Sequence, residues 1–563
     1  MKSINLNVLL IILIFTLLNT NCKCPKELKT VDNFEKKVSV QWRVTELIFM
    51  SSKSYQSNFD DVDLDVVYTH TKDGTEIRIP GFWDGENIWK VRFAPTMVGN
   101  WTYKTVCSDT LNTGLNDKTG SLFCSEYKGD LDIYKHGFIK TTPNTRYFTY
   151  SDGTPFFYLG DTHWNIPVNS TANFKTIMDK RVEQGFTVIQ SEPIGAGYNL
   201  KDGITDSDIL YFSKLDERFK YIADKGLVHA NAELIYSGEL GPDRSVYTDA
   251  YLEKLCRYWV ARYSAYPVIW TTAQESDNDF YHGRPDENGS DSNPYFDSKT
   301  NPWKIVANYI YKYDPYHHPQ TAHQEYVTYT KASTSSFRNL PGHSWWAVQW
   351  GPKKDGQLNF NIPKDYWNNG QDKPSILYEG LYDHLWTNEF GARMQGWTAF
   401  LNGMYGYGYG VEDIWLYNST YDINKQTVRE GITISVADKK IKWAESVNLN
   451  SAKQMGYMHN FFKSIDWWNL IPRFDNPTWF TNNGSWYSLA SKNNDLYVVY
   501  FYNDSTKKSG TLKNMANTQY IIQWFNPITG KYNDSITVTV TNCRYAIGDK
   551  PDNNDWVLKV MKK

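Results

Sequence analysis

Between residues 137 and 466, short apolar runs of strand character alternate with longer stretches of helical periodicity, eight times over. The strand-like runs fall at 156–160, 187–190, 227–231, 268–270, 320–323, 347–350, 375–378 and 407–415. The helical patterns include 174–184, 213–225, 250–263, 303–313 and 389–401. Strands separated by helices must lie parallel, with the helices packed outside them. Eight such units predict an α/β chain whose core is a (β/α)8 barrel, a TIM barrel, over 136–466.

At 563 residues the chain exceeds what one hydrophobic core supports. Short alternating strands with Gly and Asp turns before the barrel, such as Glu76-Ile-Arg-Ile-Pro80 and Trp89-Lys-Val-Arg-Phe93, predict an N-terminal β-sandwich over 25–135. Runs such as Asp495-Leu-Tyr-Val-Val-Tyr-Phe501 predict a smaller C-terminal β-sandwich over 467–563. Lys2, an apolar run at 8–18 and then Thr20-Asn21-Cys22 have the layout of a secretory signal peptide, placed at 1–24 and too short to span a membrane. Asn19-Thr20-Asn21 is a poor lipidation box for Cys22, so the expectation is a secreted, soluble monomer without a membrane span. In such a compartment Cys107 and Cys124, close in one strand-rich stretch, are candidates for a disulfide.

A barrel carries its active site where the strands end at their C-termini. Two strands run into a glutamate there: Pro267-Val-Ile-Trp-Thr-Thr-Ala-Gln-Glu275 on the fourth and Pro374-Ser-Ile-Leu-Tyr-Glu379 on the seventh. Hydrolysis of a glycosidic bond needs such a pair, one carboxyl to protonate the leaving oxygen and one to attack or stabilise the sugar carbon. The other strand-end candidates for holding substrate are Asp161, His163, Trp164, Glu192, Glu233, Gln274, His323, Gln349 with Trp350, and Glu412 with Asp413. A single strand-end acid is equally explained by capping of the next helix, the competing role for Asp161 and His163. Glu192 and Glu233 read equally as buried acids paired with arginine.

Composition narrows the partner class. A net charge of -3 with no basic run beyond Lys562-Lys563 excludes a nucleic-acid binder. The 22 Trp and 41 Tyr suit stacking on sugar faces, although sandwich cores also consume aromatics. His317, His318 and His323 lack the helical i, i+4 spacing and the carboxylate partner of zinc sites, so neither metal nor other cofactor is expected. The run Gly406-Tyr-Gly-Tyr-Gly410 has no following Lys and reads as close packing rather than a phosphate loop. No Gly-x-Ser-x-Gly elbow occurs, which weighs against a serine esterase.

Thr154-Pro-Phe-Phe-Tyr-Leu-Gly-Asp-Thr-His-Trp164, Gly185-Phe-Thr-Val-Ile-Gln190, Glu379-Gly-Leu-Tyr-Asp383 and Tyr405-Gly-Tyr-Gly-Tyr-Gly-Val-Glu-Asp-Ile-Trp415 resemble the apiosidase-like glycoside hydrolases. Pro80-Gly-Phe-Trp-Asp-Gly85 resembles the sandwich that precedes such barrels, and Trp524-Phe-Asn-Pro-Ile-Thr-Gly530 the one that follows. The resemblance implies Glu379 as nucleophile, Glu275 as general acid/base, a carbohydrate substrate in polysaccharide or oligosaccharide side chains, and retention. Two departures stand out: Gln274 replaces the Asn that usually precedes the fourth-strand acid in the broader clan, and the apiosidase-like group often carries Asp where Glu275 stands. The alternatives are an inverting enzyme drawing on Asp277 or Asp383, and an inactive carbohydrate-binding protein built on the same barrel.

Overall fold

A computed structural model describes residues 37–164, 166, 170–194, 198, 200–232, 234–235, 240, 245–276, 301–323, 331–333, 335–350, 361–384, 387–415, 427–429, 432–434, 442–481, 487–506 and 508–563. Its centre is a curled sheet of seven parallel strands. In chain order these are Tyr158–His163, Val188–Ser191, Val228–Asn231, Val268–Trp270, Trp346–Gln349, Ser375–Glu379 and Gly406–Tyr409. The first strand pairs with both the second and the last, Gly160 opposite Val188 and Gly408. Between the fourth strand and Trp346–Gln349 the sheet is bridged by Gln320, paired in parallel with Trp270 on one side and His343 on the other. The fifth strand predicted at 320–323 is therefore one residue of ladder, held by Thr321 N–H to Trp270 O and Ser344 N–H to Gln320 O, each 2.8 Å. The sheet closes into a barrel.

Helices follow the strands on the outside, and their starts are written locally. Ser170, Thr248 and Asn388 accept backbone N–H groups as N-caps of Thr171–Glu183, Asp249–Tyr263 and Glu389–Leu401. Thr205 and Asp208 form a capping box on Asp206–Asp224.

The period-two alternation of each strand sorts side chains into two layers. Tyr158, Val188, Val228, Ala230, Ile269, Trp345, Ala347, Ile376 and Tyr378 form the cluster that fills the lumen. Leu159, Ile189, Leu377, Tyr407 and Tyr409 belong to the layer shared with the helices. The glycine run of the last strand now has its reason. A Cβ on Gly408 would lie 2.0 Å from Tyr378 O and 2.4 Å from Gln190 Oε1, and one on Gly406 2.5 Å from Ile376 Cδ1. Bare backbone on that strand makes room for the large lumen residues of its neighbours, while Tyr407 and Tyr409 turn outward.

Before the barrel, a five-stranded sheet (Lys37–Val40, Thr119–Ser125, Gly99–Cys107, Leu64–His70, Glu76–Pro80) faces a three-stranded one (Thr45–Met50, Ile88–Phe93, Phe82–Trp83). Tyr68 stacks on Phe93 between them, ring centroids 3.9 Å apart. Cys107 and Cys124 are both free thiols. In the hairpin register Cys124 lies opposite Gly99, eight residues from Cys107 on the same strand. At ~3.3 Å per residue the two are some 26 Å apart along the strand, so the expected disulfide does not form.

This sandwich is tied to the barrel by a buried arginine pair. Arg92 of the sandwich and Arg262 of the helix Asp249–Tyr263 both grip Asp216, with nitrogen–oxygen distances from 2.6 to 3.1 Å. Burial acts to raise the Asp216 pKa, but the two guanidinium groups outweigh it and hold the carboxyl below its usual range.

After the barrel, antiparallel strands Tyr487–Lys492, Leu496–Phe501, Trp556–Lys562 and Gln519–Asn526 form the centre of a second sheet, covered by the ribbon Gly510–Lys513 with Arg544–Ile547. Its other face rests on the helix Glu389–Leu401, where Trp397 stacks on Tyr500 and Arg393 grips Asp555 through two bonds of 2.8 and 2.7 Å. Among the described residues no helix is long and apolar enough to cross a membrane.

Candidate active site

Glu379 ends the seventh strand, and simple alternation would send it outward after lumen-facing Tyr378. The pairing with Trp346–Gln349 shifts by one residue here. Val348 pairs with Leu377 and Gln349 with Glu379, leaving Tyr378 as the extra residue. Such an irregularity re-aims the side chain that follows it. Glu379 is 3% exposed, and its Oε2 stands 3.6 Å from His323 Nε2.

Glu275 lies beyond the fourth strand on a segment of unusual backbone. Thr272 and Glu275 have φ of 48° and 45°, left-handed values that a β-branched residue rarely adopts. The segment is held by neighbouring groups: Thr271 N–H to Asn231 O (3.1 Å), Thr272 Oγ1 to Thr321 O (3.0 Å), and Ser276 N–H to His323 O (2.7 Å). Backbone strain maintained by this many bonds is typical of functional sites. The Glu275 carboxylate accepts a hydrogen bond from Gln349 Nε2 at 3.2 Å, and its backbone N–H points at His323 Nδ1 at 3.5 Å.

His323 therefore touches both glutamates. Burial lowers its pKa to about 3, so the imidazole is neutral at working pH. With Nδ1 accepting from Glu275 N–H, the proton sits on Nε2, and a neutral N–H rather than a cation faces Glu379. Tyr382 is the second common neighbour. Its hydroxyl is hydrogen-bonded to Glu379 and feels the charges of both Glu379 and Glu275; burial first, then Glu379, push its pKa well above the usual value. It stays a protonated donor. The indole N–H of Trp164 donates to the same hydroxyl at 2.9 Å.

The loop carrying Tyr382 is seated by glycines. A Cβ on Gly380 would lie 2.3 Å from Gln395 Oε1, and one on Gly410 2.1 Å from the Tyr382 ring. Asp383 N–H donates to Gly410 O at 2.9 Å, and Leu381 N–H to Gln395 Oε1 at 2.7 Å.

The structure thus brings Glu275, Glu379, His323 and Trp164 together, with Gln274 adjacent in the chain. Glu192 is buried just past the second strand, on the face of Gln190, whose amide reaches Tyr378 O and Thr162 Oγ1 within the lumen. Glu233 and Asp277 lie outside the described residues. Four expected ligands are placed elsewhere. The first strand runs to His163, so Asp161 and His163 share its outward face: Asp161 is fully buried, bonded to Arg181 Nε (2.7 Å) and His163 Nε2 (2.5 Å). Neither caps the first helix, whose N-cap is Ser170. Trp350 is 2% exposed in the apolar layer that also holds Val348 and Ile362. Asp413 is fully enclosed by Ser446 Oγ and His384 Nδ1, each 2.8 Å away. Asp383 accepts from Ser451 Oγ at 2.6 Å, which turns it to the helix Asn450–Lys463. Gln349, a strand-end candidate beside Trp350, is the one of the two that reaches Glu275, and Tyr382 is the site residue that strand-end reasoning passed over.

Residues 142–469 match the apiosidase-like catalytic domain family. The chain belongs to that family. It is a glycoside hydrolase with a carbohydrate substrate. Residues 39–108 match a domain of unknown function, DUF5060, and residues 480–561 a family described as "Putative collagen-binding domain of a collagenase". No curated protein matches the chain. Among solved structures, a "putative glycoside hydrolase" from Bacteroides vulgatus is similar with a TM-score of 0.68 at 17% identity, over 94% of this chain and 100% of that one. A glycoside hydrolase family 5 protein from Bacteroides vulgatus is similar at 0.59 and 18% identity, over 77% of this chain and 95% of its own. A further glycoside hydrolase gives 0.58 at 19%, over 77% and 99%. At these identities the likeness is one of fold, and it spans the barrel and its flanking sheets.

Proposed function

We propose that this apiosidase-like hydrolase is a retaining O-glycosidase with Glu379 as nucleophile and Glu275 as general acid/base, acting on side chains of polysaccharides or oligosaccharides outside the cell. The observation that carries this is the pair of shared neighbours: His323 and Tyr382 each face both carboxylates. Tyr382 and the N–H of His323 are both directed at Glu379, which suits the group that must attack as an anion. Glu275 accepts an amide N–H from Gln349 and lies beside an uncharged imidazole, and this reading gives it the task of carrying a proton to the leaving oxygen. Glu379 would attack the anomeric carbon as Glu275 protonates the departing oxygen. Water activated by Glu275 would then release the sugar with its configuration kept. Export rests on the signal-like segment at 1–24.

The test is a pair of variants on an aryl glycoside panel. Glu379→Ala should abolish turnover. Glu275→Ala should leave slow turnover of substrates with good leaving groups, restored by azide with release of a glycosyl azide. Near-normal activity of Glu379→Ala, or NMR detection of the inverted anomer as first product, overturns the assignment. N-terminal sequencing of protein recovered from the medium tests export.

A further inference from the structure

On the opposite side of the barrel from the two glutamates, a groove of about 330 Å³ opens between the helix Asn361–Asn369 and the segment leading into the C-terminal sheet. Its walls include Lys364, Trp367, Asn368, Arg473, Phe474 and Trp479. The end of that helix lies at the strands' N-terminal rim: Gly370 O, just past it, accepts the indole N–H of Trp346, the first residue of its strand. Trp367 also packs against Gly403, just before the last strand begins. The groove therefore cannot be a subsite of the catalytic mouth.

Its charges do not cancel. Lys364 is ion-paired with Asp475 at 2.5 Å. Arg473 has no carboxylate partner among the described residues. Its Nε donates to Ser491 Oγ at 2.7 Å and its guanidinium lies 3.6 Å over the Trp479 ring. Stacking and that bond fix the plane of the fork and leave both terminal nitrogens without a protein acceptor among the described residues. Burial lowers the Arg473 pKa, the mark of a cation lacking a compensating anion. Phe474 next to it is held at φ 50°, a strained value for a bulky residue, and its ring lines the groove.

We infer that this groove is a second, non-catalytic glycan site, and that it takes a uronic-acid polymer. A planar guanidinium matches a carboxylate bidentately. The Trp367, Phe474 and Trp479 rings offer apolar surface for the C–H faces of pyranose rings, and Asn368 offers amide groups for hydroxyls. The volume falls in the range of small-ligand sites. The function is retention on an acidic polysaccharide while the opposite mouth works on its side chains. The inference rests on the family's substrate class and not on the roles of Glu275 and Glu379.

Affinity electrophoresis of the full chain through gels containing polygalacturonate, or neutral galactan, tests it. Polygalacturonate should retard the wild type and galactan should not. Arg473→Ala and Asn368→Asp should each weaken the retardation about tenfold or more, the loss expected when a hydrogen bond to a charged group is removed or opposed. Asn368 is an exposed helix residue, so its variant folds even if Arg473→Ala does not. Glu379→Ala should be retarded like the wild type, and aryl glycoside turnover of Asn368→Asp should be unchanged, which separates this proposal from the catalytic one. Absence of retardation by polygalacturonate, equal retardation by galactan, or undiminished retardation of Asn368→Asp overturns it.

Discussion

The Tyr382 hydroxyl is hydrogen-bonded to the Glu379 carboxylate, three residues upstream in the same chain segment. So short a span reaches back onto itself because Gly380 and Gly410 let the loop lie flat against the last strand, and because Trp164 supplies the hydroxyl with a donor of its own at 2.9 Å. With the indole N–H donating to its oxygen, the phenol gives its proton to Glu379. Under the proposed mechanism Tyr382 orients the attacking carboxylate.

Tyr382→Phe should accordingly lower kcat by ~10–100-fold, the range for losing one hydrogen bond to a charged group, and lower stability by ~1–3 kcal/mol because the buried Trp164 N–H loses its acceptor. Steady-state kinetics on an aryl glycoside read the first quantity and a melting curve the second. A variant with wild-type kcat would remove Tyr382 from the mechanism.

Much of this arrangement was legible in the sequence, for a physical reason. Barrel strands buried on both faces leave apolar runs, and the eight predicted strands meet observed positions, with Gln320 alone representing the fifth and the last ending at Tyr409, because Glu412–Trp415, predicted as strand, is a turn of helix. Glu275 and Glu379 stood out by position. What failed was parity. Extending the first strand to His163 sends Asp161 outward, and the same alternation gives the mouth to Gln349 rather than Trp350. The shift at Tyr378 that turns Glu379 inward leaves no mark in composition. Tyr382 was hidden because its seat depends on Gly410, a helix and a strand further along the chain, which is a tertiary fact.

Buried neutral histidines make stability depend on pH. Burial holds His229, His323 and His343 at about 3 and His459 at about 4, against an ordinary value of 6.5. Between those limits the unfolded chain binds protons that the folded chain refuses, so stability is full above pH 6.5 and falls as pH drops toward 4. Each such group contributes a slope of up to ~1.4 kcal/mol per pH unit. Melting temperature should decline steadily from pH 6.5 to 4. His459→Gln, at a ring stacked 4.5 Å from Phe157 outside the catalytic mouth, should flatten that decline. A Tm profile parallel to the wild type over this range contradicts the assignment.

Gly408→Ala tests whether the lumen is set by the glycine strand. The new methyl would meet Tyr378 O at 2.0 Å and the Gln190 amide at 2.4 Å, neither of which has room to retreat. Overpacking of this severity should cost about 3 kcal/mol or more. Because Tyr378 is the residue at which the strand register shifts, the displacement passes directly to Glu379, and kcat should fall as well. Denaturant melts together with kinetics separate the two effects, and a variant as stable and as active as the wild type would contradict this geometry.

The Asp216 brace yields a contrasting prediction, loss of stability without loss of chemistry. Removing the carboxylate leaves Arg92 and Arg262 buried side by side with their shared counter-charge gone, and like charges at that spacing repel. Breaking a buried ion pair by deleting one partner typically costs ~3–5 kcal/mol. Asp216→Ala should therefore lower the denaturation midpoint strongly, and limited proteolysis should attack the N-terminal sandwich first because its hold on the barrel is weakened to remaining pairs such as Arg262 with Asp84 and Arg257 with Asp65. Catalytic constants of the protein that remains folded should stay near wild type, since no bond from Asp216, Arg92 or Arg262 reaches Glu275, Glu379, His323 or Tyr382 among the described contacts. Should kcat fall together with stability, the sandwich would be part of the catalytic apparatus rather than a support for it.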